Sequence, residues 1–125
     1  MSEALKDSTG ADVHVELDEQ GQSYVITVDG GEVAGHAYFL PGPEAETERI
    51  FYHTVVDGAF GGRGLSKVLV AQALADSRER NITVVPVCPL FVKKLNDTGD
   101  DYQADGGRFR KATGADIDIV KRHAE

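Results

Sequence analysis

The sequence predicts a mixed α+β or α/β fold with four mainly antiparallel strands, a glycine loop, a crossover helix, a parallel fifth strand and short C-terminal helices. Apolar and polar residues alternate through the first half of the chain, which is typical of half-buried strands. After a glycine-rich stretch at 57–63, the apolar period becomes that of a helix. A short continuous apolar run at 83–87 then indicates a buried parallel strand.

Each strand of the first half is bounded by turn signals. Val13, Val15 and Leu17 alternate with polar residues, so the first strand is expected to begin at Asp12. Asp29-Gly30-Gly31 is typical of a tight hairpin turn, because these residues tolerate a positive φ. The acidic stretch 44–48 is expected to be a loop. The other three strands are predicted at 23–28, 32–40 and 49–56.

The second half contains the helices. One is predicted at 64–80, ending at Asn81, and the strand at 83–87 would lie parallel to the fourth strand. A short helix is predicted at 89–96, since Pro89 suits the first turn of a helix. Residues 97–101 and 105–107 are expected to be loops. The last element is predicted as a helix at 115–123, with a strand at 117–120 as the alternative.

We therefore expect one domain at 12–96, preceded by a flexible start at 1–11. Residues 97–125 form a C-terminal extension whose role the sequence does not define. It could cover a cleft, complete the sheet or form a contact between copies of the chain.

Charge and composition exclude several classes of function. The 125 residues carry a formal net charge of -8, which argues against nucleic acid or an anionic membrane as the main partner. The chain lacks a long apolar run and the layout of a signal peptide, so a cytoplasmic location is expected. The single cysteine, Cys88, excludes an internal disulfide and a cysteine-rich zinc site. No metal is predicted, because His, Asp and Glu do not occur at ligand spacing.

The glycine loop is the chemical centre of the sequence. Glycines before a helix let an anion approach backbone N–H groups that lack helical partners, although similar loops also occur as plain turns. A P-loop is excluded because Arg63 stands where that motif needs its second glycine. A dinucleotide fingerprint is excluded because Lys67 stands where its last glycine belongs.

Four stretches resemble a known family: His53-Thr54-Val55-Val56, Gly61 to Leu69, Val85-Pro86-Val87-Cys88 and Phe91-Val92-Lys93-Lys94. Together they resemble the GNAT superfamily of acetyl-CoA-dependent N-acetyltransferases. The likeness is to its small single-domain branch, with a His-Thr-x-Val strand and a cysteine on the strand after the CoA-binding helix. It covers roughly residues 13–96. The superfamily's loop pattern, Gln/Arg-x-x-Gly-x-Gly/Ala, falls on 61–66, with Gly64 at the central glycine and departures at Gly61 and Ser66.

This resemblance implies that acetyl-CoA is the co-substrate. The loop would hold its pyrophosphate, and the fourth strand would pair with the pantetheine arm where the fourth and fifth strands separate. Lys94 would add positive charge, although each cation here equally fits a solvated surface charge. The implied cofactor-binding residues are Val55, Val56, Gly61, Gly62, Arg63, Gly64, Leu65, Ser66, Lys67 and Lys93.

Two residues near the implied gap are candidate catalytic groups. Cys88 could act as a nucleophile or protonate the departing CoA, and the alternative is a small buried apolar residue. His53 could accept the proton of an amine, and the alternative is a histidine satisfied by a backbone hydrogen bond. Because His53 and Thr54 point to opposite faces of a strand, at most one of them lines the gap.

The leading hypothesis is a small N-acetyltransferase that moves an acetyl group from acetyl-CoA to a primary amine. The net charge favours a cationic acceptor, such as a protein lysine or a polyamine. The alternative is a CoA or acyl-CoA binding module or sensor without turnover, and a third reading is an interaction protein whose glycine loop is only a turn. The sequence gives neither the acceptor nor the oligomeric state.

Overall fold

The computed structural model describes residues 5–7, 9–28, 31–43 and 47–124. Its strands are β1 (Leu5–Lys6), β2 (Asp12–Asp18), β3 (Ser23–Val28), β4 (Glu32–Pro41), β5 (Glu48–Val56), β6 (Thr83–Pro86) and β7 (Arg108–Phe109). Its helices are α1 (Leu65–Glu79), α2 (Pro89–Ala104) and α3 (Gly114–Ala124), with a 3₁₀ turn at Gly58–Phe60.

The described strands form one mixed sheet in the order β1-β2-β3-β4-β5-β6-β7. Pairing is antiparallel from β1 to β5, while β6 and β7 are parallel to their neighbours. The predicted fold class is therefore confirmed, with α1 as the crossover between β5 and β6. Asn81 ends the helical segment as expected and has a positive φ of 58°.

The structure differs from the sequence-based expectation at both ends. Leu5–Lys6 pairs with β2 inside the segment expected to be a flexible start, because Asp7 accepts hydrogen bonds that fold the following turn back on itself. Residues 1–4 and 8 of that segment lie outside the described residues. So do Asp29 and Gly30 of the expected turn and residues 44–46 of the expected acidic loop.

The expectation of a loop at 97–101 is wrong, because α2 continues to Ala104. Gly99 is buried within this helix, and a Cβ at this position would lie 2.7 Å from the Phe109 ring. The glycine therefore permits close packing of α2 against β7 rather than ending the helix. Residues 105–107 form the turn between them, and α3 forms as the helix expected at the C-terminus.

The core lies between one face of the sheet and the helices α1 and α2. Tyr24, Phe39 and Phe51 belong to it, and their rings lie within 6.1 Å of one another between centroids. The opposite face carries α3 near β5, where the rings of Tyr52 and His123 meet edge to face at 5.7 Å. The two faces of β5 therefore have different surroundings.

An ion-pair network fixes α3 to the sheet. Arg110 donates to both carboxylate oxygens of Glu48 and to both of Asp116, at 2.7–3.0 Å. The hydroxyl and the backbone N–H of Thr113 also donate to Asp116. Residues beyond 97 thus complete the sheet and cover part of its second face.

Candidate functional site

Strands β5 and β6 separate in the middle of the sheet. Their parallel pairing ends where Phe51 meets Pro86, although β5 continues to Val56. Past this point, the N–H groups of Val87 and Cys88 both donate to the Phe51 carbonyl at 2.9 Å, and the chain then enters α2. The last five residues of β5 therefore have a neighbouring strand on the β4 side and a gap on the other.

The backbone of β5 offers hydrogen-bonding groups to this gap. The Asp57 N–H donates to Ala34 of β4 at 2.7 Å, and successive residues of a strand direct these groups to opposite edges. The backbone groups of Thr54 and Val56 consequently face the gap, whereas those of Val55 face β4. Of the two residues expected to pair with a ligand, Val56 thus has the required orientation and Val55 does not.

Close approach of β4 holds β5 in this position. A Cβ on Gly35 would lie 2.5 Å from the Val55 carbonyl oxygen and 3.2 Å from the Val56 Cα. Only glycine fits here without a shift of one strand, so this residue sets the position of the β5 edge that borders the gap.

Cys88 lies at the end of the gap as the N-cap residue of α2. Its buried thiol donates a hydrogen bond to the Thr54 hydroxyl with an S–O distance of 3.4 Å. The first turn of α2 is fixed by Phe91, whose ring stacks on Phe51 with centroids 4.5 Å apart. Cys88 therefore has a defined position at the positive end of a helix dipole.

The glycine loop leads directly into α1. Gly62 and Gly64 have positive φ angles of 79° and 72°, and nothing lies within 4 Å of a Cβ built on Gly62. Within the described chain, no side chain caps α1 and its first turn has no acidic residue. The backbone N–H groups of Leu65, Ser66 and Lys67 lack partners within the helix, which makes this end suited to an anion.

A cleft of about 310 Å³ lies beside this helix end, between α1 and α2. Lys67, Lys93 and Lys94 line it and give it positive charge in an otherwise acidic protein. Asp97 also lines the cleft, and its carboxylate lies 3.3 Å from the Lys93 ammonium. Three of the predicted cations are thus brought together next to the loop.

Arg63 has a different environment from these lysines. Its Nε donates to Asp7 at 2.5 Å, and its guanidinium lies 5.6 Å from the centre of the Phe60 ring. The side chain of Arg63 is 18% exposed and that of Asp7 is fully buried. This cation, predicted from the sequence to meet phosphate, therefore makes a buried ion pair with the N-terminal segment.

His53 lies on the face of β5 opposite Thr54, as the strand geometry requires. It is exposed, and its ring stacks on Tyr38 with centroids 6.1 Å apart, while His36 stacks on the same tyrosine at 5.2 Å. A β-bulge at Tyr52 places its ring beside these stacked rings, with its centroid 6.4 Å from that of Tyr38. Burial, followed by the proximity of Tyr38, raises the pKa of Tyr52, so its hydroxyl keeps its proton at neutral pH.

The structure thus divides the two predicted catalytic residues between opposite faces of β5, with Cys88 on the α1 side and His53 on the other. Sequence reasoning missed two partners of the predicted site residues: Thr54, which contacts Cys88, and Asp7, which contacts Arg63. Thr54 was signalled only by its place in the His-Thr-x-Val strand, and Asp7 had no local signal because its partner lies 56 positions away.

Membrane-spanning helices and metal-ligand clusters are both absent from the described residues. No helix in this part of the chain is long and apolar enough to cross a membrane. Nor do the described residues contain a group of three His, Cys, Asp or Glu side chains able to hold a metal ion.

The sequence of this chain matches that of a known family. The sequence pattern of the family described as GCN5-related N-acetyl-transferase matches residues 23–105. This range includes β3 to β6, the glycine loop, Cys88 and all of α2. No curated protein matches the sequence.

Solved structures similar to this chain include the following three. A GCN5-like protein from Staphylococcus aureus has 22% identity and a TM-score of 0.51, over 81% of this chain and 91% of that one. Ard1 from Thermoplasma volcanium has 28% identity and a TM-score of 0.41, over 49% of this chain. The match spans 39% of the Ard1 chain. Ribosomal-protein-alanine N-acetyltransferase from Brucella melitensis biovar Abortus 2308 has 19% identity and a TM-score of 0.42, over 64% and 62% of the two chains.

Proposed function

The chain belongs to the GCN5-related N-acetyltransferase family, and on this premise we propose that it transfers an acetyl group from acetyl-CoA to a primary amine. The observation that carries the proposal is the separation of β5 from β6 beyond Phe51, with Cys88 at the end of the gap. The gap gives an extended thioester arm a strand edge to pair with and brings its reactive end near a thiol.

The described residues fit acetyl-CoA as the co-substrate. The uncapped N-terminus of α1, the open space above Gly62 and the adjacent lysine-lined cleft suit the phosphates. The backbone groups of Thr54 and Val56 suit the amides of the pantetheine arm. In this proposal, Gly61, Gly62, Gly64, Leu65, Ser66, Lys67, Lys93 and Lys94 hold the phosphate-bearing part.

Acetyl-CoA, when bound, supplies the acetyl group as an activated thioester. The amine nitrogen forms a bond to the acetyl carbon while the carbon–sulfur bond breaks. His53 accepts the proton that the amine loses and releases it to solvent, and Cys88 gives its own proton to the departing sulfur. A proton from solvent then restores Cys88.

Two features of Cys88 favour the role of acid. Its thiol is held by a hydrogen bond to the Thr54 hydroxyl, next to the strand edge that the thioester arm would follow. It also lies at the N-terminus of α2, where unpaired backbone N–H groups favour negative charge on a neighbouring group.

The acceptor would approach His53 from the face of the sheet opposite α1. The strand register puts Asp18 and Glu16 on this face, in the same cross-strand rows as Tyr38 and His36. Carboxylates and aromatic ring faces both favour a cation. We therefore propose a cationic acceptor, a protein lysine or a polyamine.

Calorimetric titration with acetyl-CoA tests the binding part of the proposal. The variants are Gly64→Glu and, as a matched control, Gly106→Glu. Gly106 also has a positive φ, of 97°, and no neighbour within 4 Å of an added Cβ. Both substitutions add one negative charge at a glycine with a positive φ, but only the first does so at the N-terminus of α1.

We expect micromolar binding by the wild type and by Gly106→Glu, and its loss in Gly64→Glu. Equal binding by all three proteins would place the phosphates elsewhere, and absence of binding by the wild type would refute the proposal. Release of free CoA in the presence of lysine peptides or spermidine then tests transfer. Binding without acetyl product for every amine tried would leave a CoA-binding module.

A further inference from the structure

The Asp7 carboxylate organises the turn that follows β1. Its Oδ1 accepts hydrogen bonds from the Thr9 backbone N–H at 2.8 Å, from the Thr9 hydroxyl at 2.6 Å and from the Ala11 N–H at 3.0 Å. These donors, with the Thr9 hydroxyl first, and the Arg63 guanidinium hold the pKa of Asp7 well below its usual range. The carboxylate is therefore ionised at neutral pH and held in one position.

The other oxygen of Asp7 contacts the glycine loop. Oδ2 accepts the hydrogen bond from the Arg63 Nε, so one carboxylate connects the N-terminal segment to the residue just before the α1 N-cap. Arg63 stands between Gly62 and Gly64, both with a left-handed backbone. Glycines lose more conformational freedom on ordering than other residues, so a loop of this composition needs an external contact to keep one shape.

We propose that Asp7 is a positioning residue for acetyl-CoA binding, which acts by fixing Arg63 and thereby the loop that receives the phosphates. This inference rests on the proposed function. Asp7 lies outside residues 23–105, the range that the family pattern matches, so it extends the site into the N-terminal segment. In this role the side chain of Arg63 fixes the backbone of the loop and does not itself bind phosphate. The lysines of the cleft supply the positive charge that binds the phosphates.

The test compares Asp7→Asn with Asp116→Asn. Both aspartates have fully buried side chains paired to an arginine, but Asp116 lies at the start of α3 and contacts Arg110. Asparagine keeps the shape and one acceptor oxygen while it removes the charge. Loss of stability is common to the two variants, whereas loss of the loop contact is specific to Asp7→Asn.

We expect Asp7→Asn to raise the Kd and the KM for acetyl-CoA about tenfold, because a hydrogen bond between charged groups is lost, with little change in kcat. Asp116→Asn should leave Kd and KM within about twofold of the wild type. Without ligand, amide hydrogen exchange in peptides that cover 58–68 should be faster in Asp7→Asn than in Asp116→Asn. A merely structural aspartate would not produce this combination.

Arg63→Gln provides a second route to the same contact if Asp7→Asn fails to fold. The double variant should bind acetyl-CoA no more weakly than the weaker of the two single variants, because both substitutions remove the hydrogen bond between Asp7 and Arg63. Wild-type affinity in Asp7→Asn, equal weakening in Asp116→Asn, or unchanged exchange in the loop would each overturn the inference. If the wild type binds no acetyl-CoA, the proposed function fails, and the exchange measurement still decides whether Asp7 fixes the loop.

Discussion

The Cys88 thiol and the Thr54 hydroxyl lie 3.4 Å apart and connect α2 to β5 beyond the point where β5 and β6 separate. Thr54 also directs its backbone groups into the gap. A ligand that pairs with this strand edge would therefore come close to the thiol, and this arrangement gives Cys88 its proposed place beside the departing sulfur.

Replacement of Cys88 tests its role as the acid. We expect Cys88→Ala to lower kcat about 100-fold, because the proton for the leaving thiolate is lost, while acetyl-CoA affinity changes by less than about twofold. Cys88→Ser should be similarly slow, since a hydroxyl is a far weaker acid than a thiol. Steady-state kinetics with calorimetry checks both values. An unchanged kcat would contradict the role, and an acetyl group found on Cys88 by mass spectrometry would make it a nucleophile instead.

Gly35→Ala should separate β4 from β5 at the edge of the gap. The added Cβ would meet the Val55 carbonyl, a backbone atom that cannot rotate away. We expect a loss of about 2 kcal/mol in the free energy of unfolding and weaker binding of acetyl-CoA. Gly99→Ala is the control, because its Cβ would meet the Phe109 ring, which borders neither the loop nor the gap. Urea denaturation and titration of both variants check the prediction, and equal loss of affinity in the control would refute it.

Alternation and glycine placement made much of the fold predictable from sequence. Strands β2 to β5 carry an apolar face, and their alternation places Tyr24 and Phe51 in the core. The loop before α1 was predictable because a cluster of glycines directly precedes the residues with helical periodicity. Local sequence thus identified the elements that border the candidate site.

Contacts between distant residues were not predictable in the same way. Asp7 and Arg63 meet because β1 pairs at the edge of the sheet, and a two-residue strand has no detectable period. Gly99 resembled a loop residue, and only its close packing on Phe109 explains a glycine inside α2. The orientation of Val55 depended on the register between β4 and β5, which a single sequence does not determine.

The Asp116 carboxylate should make stability depend on pH in the acid range. Hydrogen bonds from Arg110, and then from Thr113, lower its pKa from 3.8 to about 2. Since the folded-state value lies below the unfolded one, the stabilisation is complete above pH 3.8 and is lost as the pH falls toward 2. We expect Asp116→Asn to lower the free energy of unfolding by about 2 kcal/mol at neutral pH and by much less near pH 2. Asp118→Asn, at an exposed position of α3, should follow the wild type in urea denaturation across this range, and a constant cost of Asp116→Asn would contradict the prediction.

Asp97→Asn should strengthen the binding of acetyl-CoA, in contrast to the other substitutions. Its carboxylate lines the cleft between α1 and α2, where its negative charge repels phosphate. It also pairs with Lys93 and so partly neutralises a cation that would otherwise bind phosphate. We expect affinity to rise about threefold at low ionic strength, the size of one exposed charge interaction, and the gain to disappear in molar salt because such charges are screened. Asp118→Asn makes the same change in net charge on another helix and should leave affinity unchanged. Titrations at two salt concentrations measure both effects. An equal gain in Asp118→Asn would assign the effect to net charge alone, and weaker binding by Asp97→Asn would show that the lysine-lined cleft does not receive the phosphates.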